Sequence, residues 1–274
     1  MILLLSTVIV FWNVENFFDY KIKSSISDYG WNASRFYSKA KNVGKVILSL
    51  SDSMGNPPDF VGLAEVDSKR TLNAIVHSPV LETYGYRFVH FDSPDKRGID
   101  CALLYRKHIP TDAHPIPLTF EGKPVKSRDL LLVEFDSLAV LVCHLPSKRG
   151  GSAAAMRLRE RAMEMIDSVA YASEKPIVVV GDFNDTGPSE WKYVRELQAT
   201  GSEGSIKFQG KWERIDRCLV SDSLNAAMTT PALDFLLEKD KTYGGMKPHR
   251  THSGPRYIGG LSDHLPIVIT LSDL

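Results

Sequence analysis

Seven polar side chains in this chain stand at the ends of apolar runs: Asn13, Glu65, His144, Asp182, Asn184, Asp263 and His264. Asp216 joins them from within another run. Glu65, Asp263 and Asn13 offer hard oxygen atoms, the donors that suit Mg²⁺ or Mn²⁺. Mg²⁺ keeps several of its waters and asks a protein for only one or two carboxylates. His144 and His264 can move protons near neutral pH. Asp216 could fix the tautomer of one of them, as the acid does in a Ser-His-Asp triad. No Gly-x-Ser-x-Gly elbow is present, so a covalent serine intermediate has little support. Water attacking a metal-bound phosphate fits this set better.

Such groups need rigid elements to aim them. The clearest is PIVVVGDFNDT, Pro176–Thr186. Ile177–Val180 is short, apolar and β-branched, the composition of a strand buried on both faces. It breaks at Gly181 into Asp182, Asn184 and Asp185, so polar groups arrive at the rim of a sheet. The same pattern recurs. Strands are expected at 7–12 before Asn13, at 60–64 before Glu65, at 138–143 before His144 and at 267–271 after His264. Further strands are expected at 86–91, 101–105, 130–135 and 214–220, the last carrying Asp216. Apolar spacing predicts helices over 35–51, 68–76, 153–172 and 189–198. The stretches 20–34, 201–210 and 240–260 read as loops, and a loop as long as the last is often functional. Alternating strands and helices, with hairpins among them, predict mixed sheets with helices outside. The expected class is α/β, two sheets face to face and flanked by helices, in one domain over 1–274.

Composition narrows the function. The 33 basic and 33 acidic side chains cancel, so phosphate recognition must be local rather than a coat of charge. Cys101, Cys143 and Cys218 lie far apart in apolar runs and read as buried thiols, not zinc ligands or a disulfide framework. The apolar start, Met1–Phe11, lacks a basic leader and a small-residue cleavage pattern, and is too short to span a bilayer as a helix. No transmembrane segment is expected. The expected location is the cytoplasm, with secretion only if the true start lies upstream; the expected state is a monomer.

Seven stretches together carry a resemblance: WNVEN (12–16), AEV (64–66), SRDLLLVEF (127–135), HLPSKRGG (144–151), GDFND (181–185), RIDRCLVS (214–221) and SDHLP (262–266). In this order the chain resembles the endonuclease/exonuclease/phosphatase superfamily, the group with the deoxyribonuclease-I-like fold. The resemblance implies a four-layer α/β sandwich and Mg²⁺ or Mn²⁺ as cofactor. It implies that Asn13, Glu65 and Asp263 surround the metal, and that Asp182 and Asn184 position the scissile phosphate and the attacking water. Asp216 would orient His264, acting as base or phosphate ligand. His144 would protonate the leaving oxygen or stabilise the charge that develops on phosphorus. The family commonly has Gln before the metal-binding Glu; here Ala64 stands there, a missing hydrogen bond that would loosen Glu65.

The expected substrate is a phosphate ester, with a nucleic acid among the candidates. His144 resembles the branch of nonspecific nucleases and sphingomyelinases more than the abasic-site endonucleases, which carry Tyr and Asn in this region. A phospholipid or an inositol phosphate is the alternative, though the inositol phosphatases' Trp-Cys-Asp-Arg signature matches poorly. A non-catalytic scaffold is a third reading, and the intact acids and histidines argue against it. Arg128, Lys148 and Arg149 are candidates for substrate phosphates. So are Arg250 and Arg256, in a loop of local positive charge that runs into Asp263. His77, His90, His108 and His114 read as surface histidines, Arg157, Arg159 and Arg161 as a solvated helix face, and Trp212 as a packing residue.

Overall fold

The computed structural model describes residues 6–22, 30–52, 55–148, 153–187 and 189–272. Thirteen strands form two large mixed sheets. In chain order they are β1 (Thr7–Phe17), β2 (Phe60–Val66), β3 (Arg87–His90), β4 (Asp100–Tyr105), β5 (Asp112–Ile116), β6 (Leu130–Glu134) and β7 (Ala139–His144). Then come β8 (Ile177–Asp182), β9 (Arg195–Glu196), β10 (Ala199–Gly201), β11 (Asp216–Val220), β12 (Asn225–Thr230) and β13 (Ile267–Ser272). The first sheet runs β10-β12-β13-β1-β2-β4-β3 and the second β9-β11-β8-β7-β6-β5. At the centre of each is a parallel pair, β1 with β2 and β7 with β8. Antiparallel partners flank both pairs.

Alternation along the strands builds the layers, because successive side chains leave a strand on opposite faces. Ile9 and Phe11 of β1, Val140 and Val142 of β7, and Val178 and Val180 of β8 meet in one core between the sheets. The intervening Val10 and Trp12 face the opposite way, into a second core with Phe36, Val43 and Ile47 of α1 (Ala33–Ser49) and Leu72 and Ile75 of α2 (Lys69–Val76). Leu141, Ile177 and Val179 face a third core with Ala162 and Ile166 of α3 (Ala153–Ala172). The order is helices, sheet, sheet, helix, the four layers expected. Asn32 and Ser68 start α1 and α2 by accepting from the backbone N–H three residues on.

Several expectations need correction. Residues 189–198 form no helix: Arg195–Glu196 pair with β11 at the edge of the second sheet, and Ala199–Gly201 pair with β12 in the first. Arg217 clamps the Glu196 carboxylate, and Val194 and Leu197 are buried, so tertiary pairing overrides a helix-like composition. The stretch 201–210 contains one arm of a hairpin, Ile206–Phe208 with Lys211–Glu213. The stretch 240–260 is folded too, with Met246–Pro248 paired to Leu237–Lys239 and His252–Ser253 paired to Arg256–Tyr257. His90 is buried and bonded to Asp100 at 3.1 Å. Arg159 is buried on Asp185 and the Pro146 carbonyl. The three cysteines are free and buried, as expected. No helix among the described residues is long and apolar enough to cross a membrane.

The parallel pair β7–β8 comes close enough at Gly181 that any side chain there would overlap the sulfur and the carbonyl oxygen of Cys143. Backbone cannot step aside as a flexible side-chain tip can. Gly181→Ala is therefore expected to lose about 1–3 kcal/mol or more, read as a lower urea midpoint. A midpoint equal to the parent's would show that the strands can part without cost.

Candidate active site

Strand alternation brings the polar residues together. Asn13 shares the parity of Ile9 and Phe11, His144 that of Val140 and Val142, Asp182 that of Val178 and Val180, and Asp216 that of Cys218 and Val220. All four therefore point into the space between the sheets, where the apolar core gives way to a cleft. Glu65 has the opposite parity and would follow Leu63 toward the helices. It does not, because the β2 register shifts between Ala64 and Val66 and Glu65 takes φ +65°. That bulge swings its carboxylate into the cleft, where Oε2 accepts from the Asn16 N–H at 2.8 Å. The hold expected to be missing beside Ala64 is thus supplied from β1.

His264 is fixed from all sides. Its Nδ1 lies 2.7 Å from Asp216 Oδ2. Its carbonyl accepts from Trp12 Nε1 at 2.9 Å, and its N–H donates to Ser262 Oγ at 3.0 Å. Ser262 Oγ in turn donates to the Asn13 carbonyl at 2.5 Å. Asp182 sits between the two histidines, its Oδ2 3.5 Å from His144 Nε2 and 3.9 Å from His264 Nε2. It accepts from Asn13 Nδ2 at 3.1 Å and from the Asn184 N–H at 2.9 Å. Asn13 Oδ1 takes the Glu15 N–H at 3.0 Å, so this side chain grips Asp182 as much as it faces the cleft.

Charge splits the titrating groups. Burial pushes the His144 imidazole well below its usual pKa, and Arg128 and Arg97 push it further the same way. Burial acts on His264 in the same direction but is outweighed by Asp216, Asp182 and Asp263, so its pKa rises well above the ordinary value. His144 is held neutral and His264 cationic. Burial and the nearby Asp216 charge raise Asp182 to about 7, against the pull of His264. Desolvation would raise half-buried Asp263 too, but His264 and Arg250 win and hold it below the usual carboxylate range.

Two further residues escaped the sequence reading. The Glu15 carboxylate accepts from the Thr251 N–H at 2.6 Å and lies 3.7 Å from Arg250 Nε. Arg250 donates to Asp263 Oδ2 at 2.5 Å. Beneath them Lys39, fully buried on α1, donates to the Glu15 carbonyl at 2.9 Å and the Thr251 hydroxyl at 2.7 Å. Burial lowers Lys39 to about 8 and raises Glu15 to about 7. A signal existed: Lys39 lies three residues after Phe36 and four before Val43, on the apolar stripe of its helix.

The cleft is about 830 Å³ and is lined by Asn13, Glu65, His144, Asp182, Asn184, Asp263 and His264, with Asp216 behind His264. Lys148 is exposed at its rim. Arg149 lies outside the described residues. Arg128 reaches the cleft, but its guanidinium is taken by the His144 and Leu145 carbonyls and by Asp95. Arg250 lines the cleft, half-exposed, with one guanidinium nitrogen donating to Asp263 and another 3.7 Å from Glu15. Arg256 is exposed in its own hairpin and does not line the cleft. Glu65 and Asp263 both line the cleft, with Glu65 Oε2 accepting from the Asn16 N–H and Asp263 Oδ2 from Arg250, while Asp182, Asp216 and His264 form a tighter group of possible metal ligands beside them. Glu65 Oε1 lies 3.6 Å from the Arg97 guanidinium and 4.0 Å from Nε2 of the neutral His144, both beyond hydrogen-bond length. A carboxylate oxygen left open toward the cleft suits a divalent cation that keeps its own waters.

A four-layer sandwich with acids, asparagines and paired histidines at its open edge defines a class, and comparison with known proteins agrees. The profile of the endonuclease/exonuclease/phosphatase family matches residues 8–203 and 192–273. The chain belongs to that family, whose members hydrolyse phosphate esters. No curated protein matches the sequence significantly. Among solved structures, truncated TDP2 of Caenorhabditis elegans is similar at TM-score 0.62 and 19% identity, over 98% of each chain. A mannosyl-6-phosphatase of Bacteroides thetaiotaomicron is similar at TM-score 0.62 and 14% identity, over 97% of this chain and 100% of that one. The human Nocturnin catalytic domain follows at TM-score 0.59 and 16% identity, over 97% and 93%. At such identities the likeness speaks for the fold.

The Asp216–His264 pair yields a direct test. Asp216→Asn and His264→Ala should each lower kcat for a phosphate ester by roughly 10²–10⁴. Because the two act as one unit, the double variant should fall little below the worse single one. Losses that multiply would mean the residues work separately.

Proposed function

We propose that the chain acts as one catalytic domain and is a phosphodiesterase dependent on Mg²⁺ or Mn²⁺. The observation that carries this reading is the opposed pair of histidines with Asp182 between them, beside the Glu65 and Asp263 carboxylates. Glu65 and Asp263 would hold the cation, with Asn13 at their edge. A divalent cation bound there supplies positive charge to the phosphate oxygens and eases ionisation of a water.

The chain's own residues do the rest. Asp182, with a pKa near 7, is matched to take a proton from the attacking water at neutral pH. Asn13 Nδ2 and the Asn184 N–H fix the direction of its carboxylate. His264 stays protonated through Asp216, so its Nε2–H can donate to a non-bridging phosphate oxygen, where charge grows in the transition state. His144 is neutral. It suits hydrogen bonding to the developing charge better than full protonation of a leaving group. Asn184 Nδ2 is anchored to the Leu145 carbonyl at 3.1 Å, leaving Oδ1 to orient water.

The reading is tested with bis(p-nitrophenyl) phosphate in Mg²⁺ and in Mn²⁺. Hydrolysis is expected with either ion, with loss in chelator. Glu65→Gln should also abolish it while the circular dichroism spectrum stays that of the parent. Full turnover in chelator, or in that variant, would overturn the metal assignment. One structural neighbour is by name a phosphatase. p-Nitrophenyl phosphate is therefore run in parallel, and faster turnover of this monoester would make the chain a phosphatase. Plasmid DNA, RNA, sphingomyelin and inositol phosphates then sort the natural substrate.

A further inference from the structure

The cleft continues past the reactive end to a wall made by two hairpin tips. Phe208 and Tyr243 both line it, and their side chains are 58% and 59% exposed. Exposure of two large rings beside a polar site gains nothing for folding, since apolar surface left in water stabilises nothing. The rings are nevertheless held in place. Lys207, next to Phe208, is locked to Asp240 at 3.1 Å and to the Gly244 carbonyl at 2.6 Å, with both charged side chains only 5% exposed. Asp240 also caps the turn that carries Tyr243, accepting from the Thr242 and Tyr243 N–H groups. The other hairpin turns at Gly210, where φ is +83° and a Cβ would touch Tyr243 at 3.0 Å. The two tips therefore form one braced unit.

The unit is registered to the chemistry. Ile206 forms a β-bridge with His264, and the Leu265 N–H donates to the Ser205 carbonyl at 2.7 Å. Phe208 lies two residues beyond Ile206 on the same face of the strand, about 7 Å along it. Phe208 is thus held at a fixed short distance from the strand position opposite His264. Gln209 and Thr242, next in the chain to the two rings, and Lys247 add polar groups to the cleft lining. A lipid chain would need a continuous apolar surface instead. A flat ring with a polar edge satisfies both features.

We propose that Phe208 and Tyr243 form a stacking platform for a nucleobase attached next to the scissile phosphate. The platform makes the substrate a nucleotide-bearing phosphodiester, and this rests on the phosphodiesterase reading above. Stacking on an aromatic side chain tolerates any base, because every base has a π-face. The occupied base would belong to an unpaired nucleotide, since a base stacked within a duplex has no free face.

The test compares two esters with the same leaving group, thymidine 5′-(p-nitrophenyl) phosphate and methyl p-nitrophenyl phosphate. In the parent the thymidine ester should have the higher kcat/KM. In Phe208→Ala and Tyr243→Ala the ratio of the two should fall about 5- to 100-fold, mainly through KM. Phe208→Trp should restore it and Phe208→Leu should not. A ratio that stays constant, or a leucine as good as phenylalanine, would overturn the platform; the latter would indicate an alkyl occupant. Calorimetric binding of thymidine 5′-monophosphate against inorganic phosphate gives the same comparison without turnover. If the parent hydrolyses neither ester, the phosphodiesterase reading fails. The platform is then still decided by whether Phe208→Ala removes the preference for the nucleotide.

Discussion

The alternation of side chains along strands buried on both faces governs this molecule. Ile9, Phe11, Val140, Val142, Val178 and Val180 must face one another to build the core between the sheets. Once they do, the next residues of the same parity, Asn13, His144 and Asp182, have no choice of direction. They continue the same inner face past the point where apolar packing ends. A shift of one residue in any of these strands would send its polar group to the helix side and its core residues with it. The free energy that aligns the site is therefore the burial that holds the sandwich.

Parity alone would leave the site incomplete, and the departures from it are informative. Glu65 reaches the cleft through a bulge and a positive φ. Of the seven non-glycine residues with positive φ among the described residues, five line the cleft: Glu15, Asn16, Glu65, Asn184 and Gln209. Such backbone costs of order 1–3 kcal/mol at each position and persists only where its surroundings enforce it. Here they do so through named bonds, such as Asn16 N–H on Glu65 and Glu15 N–H on Asn13. The chain from Lys39 through Glu15 and Arg250 to Asp263 extends that enforcement out to α1. Arg250 also neutralises part of the acidic charge gathered around Asp263, which helps the acids coexist at close range.

The sequence made the sandwich and most of the cleft legible because both follow from short-range pattern. A run of β-branched residues ending in a polar one can be read without knowing its neighbours. What it hid depends on pairing between distant segments. Residues 189–198 have a helix-like composition, yet Arg217 and the free edge of β11 pull them into a strand. Arg250 was read from its charge, and charge does not say that a guanidinium already holds Asp263. Lys39 was legible in principle, since a lysine on the apolar stripe of a helix demands a buried acceptor. Its acceptors, however, come from β1 and residue 251, which no local pattern links to α1.

The two parts of the cleft are under different physical constraints. Its reactive end is made of strand ends whose direction is tied to core packing, so those residues cannot change place without repacking the sandwich. The wall carrying Phe208 and Tyr243 belongs to short hairpins outside both large sheets, tied to the strand ends by the Ile206–His264 bridge, the Ser205–Leu265 bond and the bonds from Leu261 and Ser262 to the His249 carbonyl. Its residues can vary in type and length at small cost to the core. In this chain the hairpins present two exposed rings, braced through Lys207 and Asp240, one of them about two residues' length from the strand position opposite His264.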